Sequence, residues 1–257
     1  MIFYFTATGN SLYVAKQLDT DRYSIAQEIH KENREYKAEK IGIVCPLFEF
    51  EMPNIVKEFI KGSTFETEYF YIIVTYGMHD GGVAKRSKEF MDSLGKKVDY
   101  INTIKMHDNA IIVFDMDEQR TLEEGKKVDE HIALLKKDIE EGKEEIQFAR
   151  KEELEFQAEY RKMIEKTGPA YSFPLYKVTD ACVGCGTCTK VCPGGCIQIK
   201  DKKVIYDYTN CVNCMACAQA CPTMAIQFAT IKEPNPKARY RNVHISLKEI
   251  IDSNIQK

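Results

Sequence analysis

The sequence predicts an α/β chain in two parts: a doubly wound, parallel, five-stranded sheet, then a small α+β domain organised by cysteine. Three observations carry this. Apolar, strand-like segments alternate with helical patterns through the N-terminal half. Nine of the ten cysteines fall between residues 182 and 221, and eight of those nine repeat one spacing twice. A length of 257 residues suits two domains, and the cysteines mark the second. The expected divisions are 1–166 for the sheet with its connecting helices, 171–230 for the cysteine-rich domain and 231–257 for a C-terminal extension.

Residues 2–6, Ile-Phe-Tyr-Phe-Thr, read as a buried strand, followed by Ala7-Thr8-Gly9-Asn10-Ser11 and a helix near 11–19 with Leu12, Ala15 and Leu18 on its apolar face. A strand, a hydroxyl- and glycine-containing loop and a helix N-terminus form an arrangement that cradles a phosphate. Backbone N–H groups and the hydroxyls of Thr6, Thr8 and Ser11 would donate to a dianionic monoester, and Gly9 lets the backbone approach it. The plainer alternative is a capped turn, since Thr, Asn and Ser are ordinary N-caps. Further strands are expected at 40–45 and 69–76 and, more weakly, at 98–105, with helices at 53–61 and 82–94. In parallel sheets of this kind, ligands sit outside the carboxyl ends of the strands. Loops 6–11, 46–52 and 76–82 all leave strands at that edge.

Residues 109–116 fit either a strand or a packed loop. The charged stretch 117–166 reads as two helices with wet faces. Leu122, Ile132, Leu135 and Ile139 fit the first, and Ile146, Leu154, Phe156 and Met163 the second. Gly142 is the break between them, and Thr167-Gly168-Pro169 the stop. In the extension, Pro234-Asn235-Pro236 signals a turn before a short amphipathic helix bearing Leu247, Ile250 and Ile251. Arg239 and Arg241 precede that helix and could face either domain.

The cysteines carry the chemistry. The first run is Cys182-x2-Cys185-x2-Cys188-x3-Cys192-Pro193, and the second is Cys211-x2-Cys214-x2-Cys217-x3-Cys221-Pro222. Two such runs supply eight thiolates, four for each of two [4Fe-4S] cubes. Three cysteines at this spacing wrap one cube, while the cysteine before proline points to the neighbouring one. Cys182, Cys185, Cys188 and Cys221 are therefore assigned to one cluster, and Cys211, Cys214, Cys217 and Cys192 to the other. Gly184 and Gly186 relax the first turn, where N–H groups must aim at sulfur. Paired CxxC runs can also bind zinc, but a closed zinc site needs only four ligands. Disulfides would need a secreted chain. Cys196 has no place in either run and reads as a small buried hydrophobe, as does Cys45 at a strand end.

The N-terminus begins as a strand rather than a basic leader, and there is no run of eighteen apolar residues. A cytoplasmic location without a membrane span is expected. The formal charge is −3. Eight thiolates and two oxidised cores of about +2 each would take it to roughly −7. No basic stripe exists to neutralise nucleic acid, so a redox partner protein with a basic face, or a small-molecule electron acceptor, is expected instead.

Phe5-Thr6-Ala7-Thr8-Gly9-Asn10-Ser11 resembles the phosphate loop of the flavodoxin family, and 171–230 resembles a bacterial two-cluster ferredoxin. The whole chain resembles the flavodoxin–ferredoxin fusion proteins of the EFR1-type family. That resemblance implies a flavodoxin-like sheet holding non-covalent FMN, with the phosphate on residues 6–11. It implies that loops 46–52 and 76–82 flank the isoalloxazine, through Pro46, Leu47 and Phe48 on one side and Thr75, Tyr76 and Gly77 on the other. Phe48 and Tyr76 are the candidates for stacking. Gly77-Met78-His79-Asp80-Gly81-Gly82 departs from the family by its bulkier tip. His79-Asp80 reads either as solvated loop or as a proton donor, and His107-Asp108-Asn109 could reach the flavin edge.

Clusters pass single electrons, whereas flavin holds one or two. The expected function is electron transfer between two [4Fe-4S] clusters and FMN, converting one-electron carriage into two-electron flavin chemistry. A flavin-dependent reductase of a quinone, nitro compound or enone is the first alternative, and a redox or iron sensor the second. No Gly-x-Gly-x-x-Gly follows a predicted strand, which argues against a nicotinamide enzyme. Replacing Cys185 or Cys214 by Ala is expected to remove one cluster selectively, about four irons of eight. Iron and sulfide analysis of the anaerobically purified variants reads this directly, and unchanged iron in either would overturn the ligand assignment.

Overall fold

A computed structural model describes residues 1–168, 175–201 and 203–254. Strand and helix alternate as the apolar pattern requires. The chain runs β1 (Ile2–Tyr4), α1 (Asn10–Leu18), β2 (Arg22–Ser24), α2 (Ile25–Glu28), β3 (Glu35–Lys37), β4 (Lys40–Pro46) and α3 (Asn54–Lys61). It continues through β5 (Thr64–Glu66), β6 (Tyr69–Tyr76), α4 (Val83–Ser93) and β7 (Tyr100–Lys105). Then come α5 (Met116–Thr121), α6 (Val128–Glu140), β8 (Glu145–Ile146) and α7 (Lys151–Thr167).

One parallel sheet has the order β2-β1-β4-β6-β7-β8. It has six strands where five were expected. The extra member is β8, whose two residues pair only with Tyr100 and Ile101. A segment that short has no alternation to read. The short β2, Arg-Tyr-Ser, was invisible for the same reason.

Alternation along the strands sorts the side chains onto two cores. Ile2, Tyr4, Val44, Tyr71 and Ile73 meet α1 and α6 on one face. Phe3, Phe5, Ile43, Ile72 and Val74 meet α2, α3 and α4 on the other. The sheet is thus wound on both sides, as the sequence pattern requires.

The charged stretch differs from expectation. Leu122 sits at the end of α5 and is exposed, so the helix carrying Ile132, Leu135 and Ile139 begins only at Val128. Ile146 belongs to β8, and α7 starts five residues later at Lys151. Both errors join apolar residues across a break, at the left-handed Lys127 (φ 49°) in the first and at the irregular residues 147–150 in the second, while Gly142 (φ 68°) does end α6 as expected. Gly168 ends α7, while the expected Pro169 lies outside the described residues.

The C-terminal part is a small ferredoxin-like domain of repeated plan: a cysteine loop, one turn of helix, a strand. It comprises β9 (Tyr176–Val178), α8 (Thr187–Lys190), β10 (Ile197–Lys200), β11 (Lys203–Tyr206), α9 (Ala216–Gln219) and β12 (Ile226–Phe228). β9 pairs with β12 and β10 with β11, both antiparallel. Residues 109–115 form a packed loop, and Met116 opens α5. Ile111 and Met116 enter the core of this small domain beside Tyr176, Ile226 and Phe228.

The extension returns to the sheet. Arg239 and Glu233 form an almost fully buried pair at 2.7 Å, and the guanidinium also donates to the carbonyls of Ala218 and Ile226. Arg239 therefore faces the small domain. Beyond it, α10 (Leu247–Asn254) covers β1 and α1, with Ile245 and Ile250 buried in the same core as Tyr13. Each such apolar side chain contributes about 1.5–3 kcal/mol. The half-exposed Lys16–Glu249 pair adds less than about 1 kcal/mol, so burial rather than charge holds the tail.

Gly42 in β4 lies under the ring of Tyr71, where an added Cβ would come 2.1 Å from Cζ. Gly42→Ala is expected to cost about 1–3 kcal/mol through overpacking. In a denaturant-unfolding double-mutant cycle with Tyr71→Leu, the two costs should be strongly non-additive.

Candidate cluster sites and flavin loop

The two cysteine loops fold back to back, and each borrows a sulfur from the other. Cys182, Cys185, Cys188 and Cys221 line one cavity. Cys192, Cys211, Cys214 and Cys217 line a second, together with Tyr176 and Tyr206. All ten cysteines are free. The crossover arises because Pro193 and Pro222 turn the chain away after each run. The N–H of Cys196 then donates to Cys192 Sγ at 3.3 Å, and that of Ala225 to Cys221 Sγ at 3.2 Å.

The loops themselves need left-handed backbone. Gly184 (φ 67°) and Gly186 (φ 75°) supply it in the first. In the second, Asn213 (φ 53°) and Met215 (φ 61°) occupy the corresponding places. Met has no glycine-like freedom there, and the conformation costs about 1–2 kcal/mol.

Burial acts against bare thiolates. It pushes Cys188 up to about 11, Cys217 up to about 12 and Cys214 well above the usual thiol range. Cys185 is the contrast, held below the usual range by the Thr187 hydroxyl and backbone amide. A cationic core inverts this logic, because a metal-bound thiol is deprotonated outright. The two cavities also differ in depth. Cys185 and Val183 are exposed at the first. At the second, Cys214 packs against both cores of the sheet, and Val212 against one of them.

The phosphate loop leaves β1 beside α1 as expected, but it is covered. Thr6, Ala7, Thr8, Asn10 and Ser11 are all buried. Thr6 Oγ1 accepts from Gly9 N (3.0 Å), Thr8 Oγ1 accepts from Asn109 Nδ2 (2.5 Å), and Ser11 Oγ shares a proton with Thr75 Oγ1 (2.9 Å). Asn10 Oδ1 accepts from Tyr240 Oη and Asn242 Nδ2, and Thr8 O accepts from Asn242 N. A Cβ on Gly9 would lie 3.0 Å from the Cβ atoms of both Asn242 and Ile245. The end of α1 has no side-chain cap, which suits an anion. With the tail in place, however, the loop does not accommodate the phosphate of FMN.

The ring-side loops are engaged too. Pro46 and Thr75 pair across β4 and β6, and Leu47 N donates to Thr75 O at 2.8 Å. Phe48 meets Phe5 edge-on at 6.2 Å. Tyr76 is half-buried, its phenol pushed up to about 12 by burial. Gly77 lies against Asp108, whose Oδ2 would be 2.0 Å from an added Cβ. Helix α7 closes over both loops. Glu153 accepts from Gly81 N and meets His79 Nδ1 at 3.3 Å, Phe156 stacks on His79 at 4.0 Å, and Phe50 packs on Tyr160. Sequence reasoning missed Glu153 and Tyr160, because on a charged helix they look like its wet face, and it placed Phe156 on the apolar face without its contact to His79. Cys45 is fully buried in the sheet core, as expected of a strand-end cysteine.

Residues 181–225 match the family model described as a 4Fe-4S dicluster domain. No curated protein matches the chain. Among solved structures, a candidate flavoprotein of Bacteroides eggerthii is 19% identical over 47% of this chain and 92% of its own, with a TM-score of 0.31. The Trp repressor binding protein of Bacillus subtilis is 10% identical over 47% of this chain and 94% of its own, with a TM-score of 0.30. Both scores are low, and no functional reading rests on them. Among the described residues no helix is long and apolar enough to cross a membrane.

His107 is enclosed rather than aimed at a flavin edge. It is buried, stacks on Tyr240 at 3.7 Å and 8°, and neither ring nitrogen has a hydrogen-bond partner. Burial, then Lys126 and Arg120, push it down to about 3. The unfolded chain binds this proton near pH 6.5 and the folded chain only near pH 3, so stability should fall as pH drops below 6.5, at up to ~1.4 kcal/mol per unit. His107→Phe keeps the stack and should flatten that part of the slope, measured by anaerobic denaturation between pH 7 and 5.

Proposed function

We propose that the chain is an electron-transfer protein carrying two [4Fe-4S] cubes, an outer one near the surface and an inner one against the carboxyl edge of a flavodoxin-like sheet. The observation that carries this reading is the pair of cavities, each walled by three cysteines of one run and the fourth of the other. A single zinc ion would draw four sulfurs to about 2.3 Å from one point. Sulfurs spread around open volume suit a cube better. When bound, the cubes supply one-electron carriage.

The protein's own part is to hold and tune them. Cys182, Cys185, Cys188 and Cys221 would hold the outer cube, and Cys211, Cys214, Cys217 and Cys192 the inner one. The amides of Cys196 and Ala225 steady one sulfur of each. Exposure at Val183 and Cys185 gives a one-electron partner access to the outer cube. Cys214 packs the inner one against the two cores of the sheet. Depth and hydrogen bonds to sulfur are the levers that set potential.

FMN is the second cofactor that the resemblance of residues 5–11 implies. The residues that would hold its phosphate are Thr6, Ala7, Thr8, Gly9, Asn10 and Ser11, with Pro46, Leu47, Phe48, Thr75, Tyr76 and Gly77 at the ring. The phosphate-loop residues are buried under the tail, and α7 closes over the loops that carry the half-buried ring-side ones. The reductase alternative finds no free acid here: His79 is tied to Glu153 and Phe156, and His107 is enclosed.

The test is an anaerobic redox titration with iron, sulfide and FMN quantified on the same sample. About eight irons per chain support the two-cube reading. One FMN titrating with them makes the chain a one- to two-electron converter. Eight irons without flavin leave a ferredoxin on a flavodoxin-like scaffold. Four irons or fewer would overturn the proposal.

A further inference from the structure

The segment that crosses loop 6–11 is a short strap, residues 240–245, fastened at both ends. Upstream, Tyr240 N donates to Gln219 Oε1 at 2.7 Å, and the Tyr240 ring lies on His107. Gln219 Nε2 donates in turn to Asn109 O at 2.8 Å, and Asn109 holds Thr8. Downstream, the strap closes on itself. Arg241 Nε donates to Ile245 O at 2.9 Å, Ile245 N donates to Asn242 O at 3.0 Å, and His244 stacks on Tyr13 at 4.6 Å. Its upstream anchor belongs to α9 of the small domain and its downstream end runs into α10, so it spans both halves of the chain.

The strap covers the loop without imitating a phosphate. Its three hydrogen bonds to the loop run one way: Asn242 N donates to Thr8 O, while Asn242 Nδ2 and Tyr240 Oη donate to Asn10 Oδ1. A phosphate would do the reverse and bring acceptors to the N–H groups of α1. The acceptor that Asn242 could offer, Oδ1, is turned back to His244 N at 3.0 Å. Helix α1 starts at Gly9 (φ 105°) with no side-chain cap. A helix end buried in that condition carries an unmet demand for acceptors. Asn242 and Ile245 meanwhile leave no room over Gly9 for a further group, since a Cβ there would already stand 3.0 Å from each.

We propose that residues 240–245 form a displaceable strap that bars phosphate monoesters from loop 6–11, so that the strap and the phosphate of FMN exclude one another. The inference rests on none of the cluster assignments. A ligand that enters only when the strap is lifted binds with its intrinsic affinity reduced by the lifted fraction. Linkage makes the effect mutual: whatever loosens the strap tightens the ligand, and a bound phosphate holds the strap away. The unmet demand at α1 is what a phosphate would gain on entry. The three hydrogen bonds and the burial of Ile245 are what it would have to displace.

The experiment uses full chains purified anaerobically: wild type, the double variant Tyr240→Phe/Asn242→Ala, and Ile245→Ser. The double variant removes both side-chain donors to Asn10 and keeps a ring on His107, whereas Ile245→Ser trims the contact over Gly9. The probes are FMN and riboflavin, which has the same ring without the phosphate. Hydrogen exchange of amides 240–245 reports lifting of the strap. Wild type should exchange slowly there and bind FMN no better than riboflavin. In either variant the strap amides should exchange about tenfold faster, and FMN should bind about tenfold more tightly while riboflavin stays put. FMN bound to wild type with the strap amides still protected would overturn the proposal, because strap and phosphate would then coexist. Faster exchange with no gain for FMN would overturn it too. An equal gain for riboflavin would do the same, by pointing to the ring-side loops instead of the phosphate.

Discussion

Thiols crowded into a small, dry domain resist ionisation, and the rest of this structure is arranged around that constraint. The pressure is visible in the buried sulfurs of Cys188, Cys214 and Cys217, all pushed above the usual thiol range. Only a cationic core relieves it, so metal binding and folding of the small domain are coupled. The left-handed turn at Met215 belongs to the same account: backbone strain stored where sulfur must converge. About fifty residues with short two-stranded sheets bury too little apolar surface to hold such strain alone.

The larger half supplies what the small one lacks. Segment 109–116 leaves the sheet domain to place Ile111 and Met116 in the small domain's core, while Arg239 ties the tail to Ala218 and Ile226. The tail then returns, with Ile245 and Ile250 filling the core beside α1. These crossings bring Cys214 against the edge where parallel α/β sheets bind ligands. The same crossings bury the loop at Gly9, so docking the two halves and opening a phosphate site compete for one surface. Conflict of this kind is what functional sites show when several demands meet at one place.

Much of the fold was legible. Strands β4 and β6 are long, almost wholly apolar runs, and α3 and α4 follow them with clear periodicity. The cysteine spacing likewise announced which sulfurs would share a cavity, because short turns leave three of them little choice. Legibility failed where local pattern is thin or misleading. Strands β2 and β8 are too short to alternate. Leu122 and Ile146 fell into helical register by chance, across breaks that neither residue encodes. Glu153 looks like surface on a charged helix, yet together with Phe156 it covers loop 77–82.

By itself the sequence determined the class of the fold, the sorting of strand side chains onto two cores and the sulfur-rich chemistry, since all three depend on periodicity or spacing over a few residues. Tertiary structure decided which cavity lies deep, what covers Gly9, and where Cys196 goes. Cys196 shows why. In sequence it is a lone cysteine four places after a proline-flanked one, indistinguishable from any small buried residue. Its place comes from the second run, whose Cys211, Cys214 and Cys217 line the same cavity. Contacts between distant segments have no local signature, because what fixes them is the packing of whole elements.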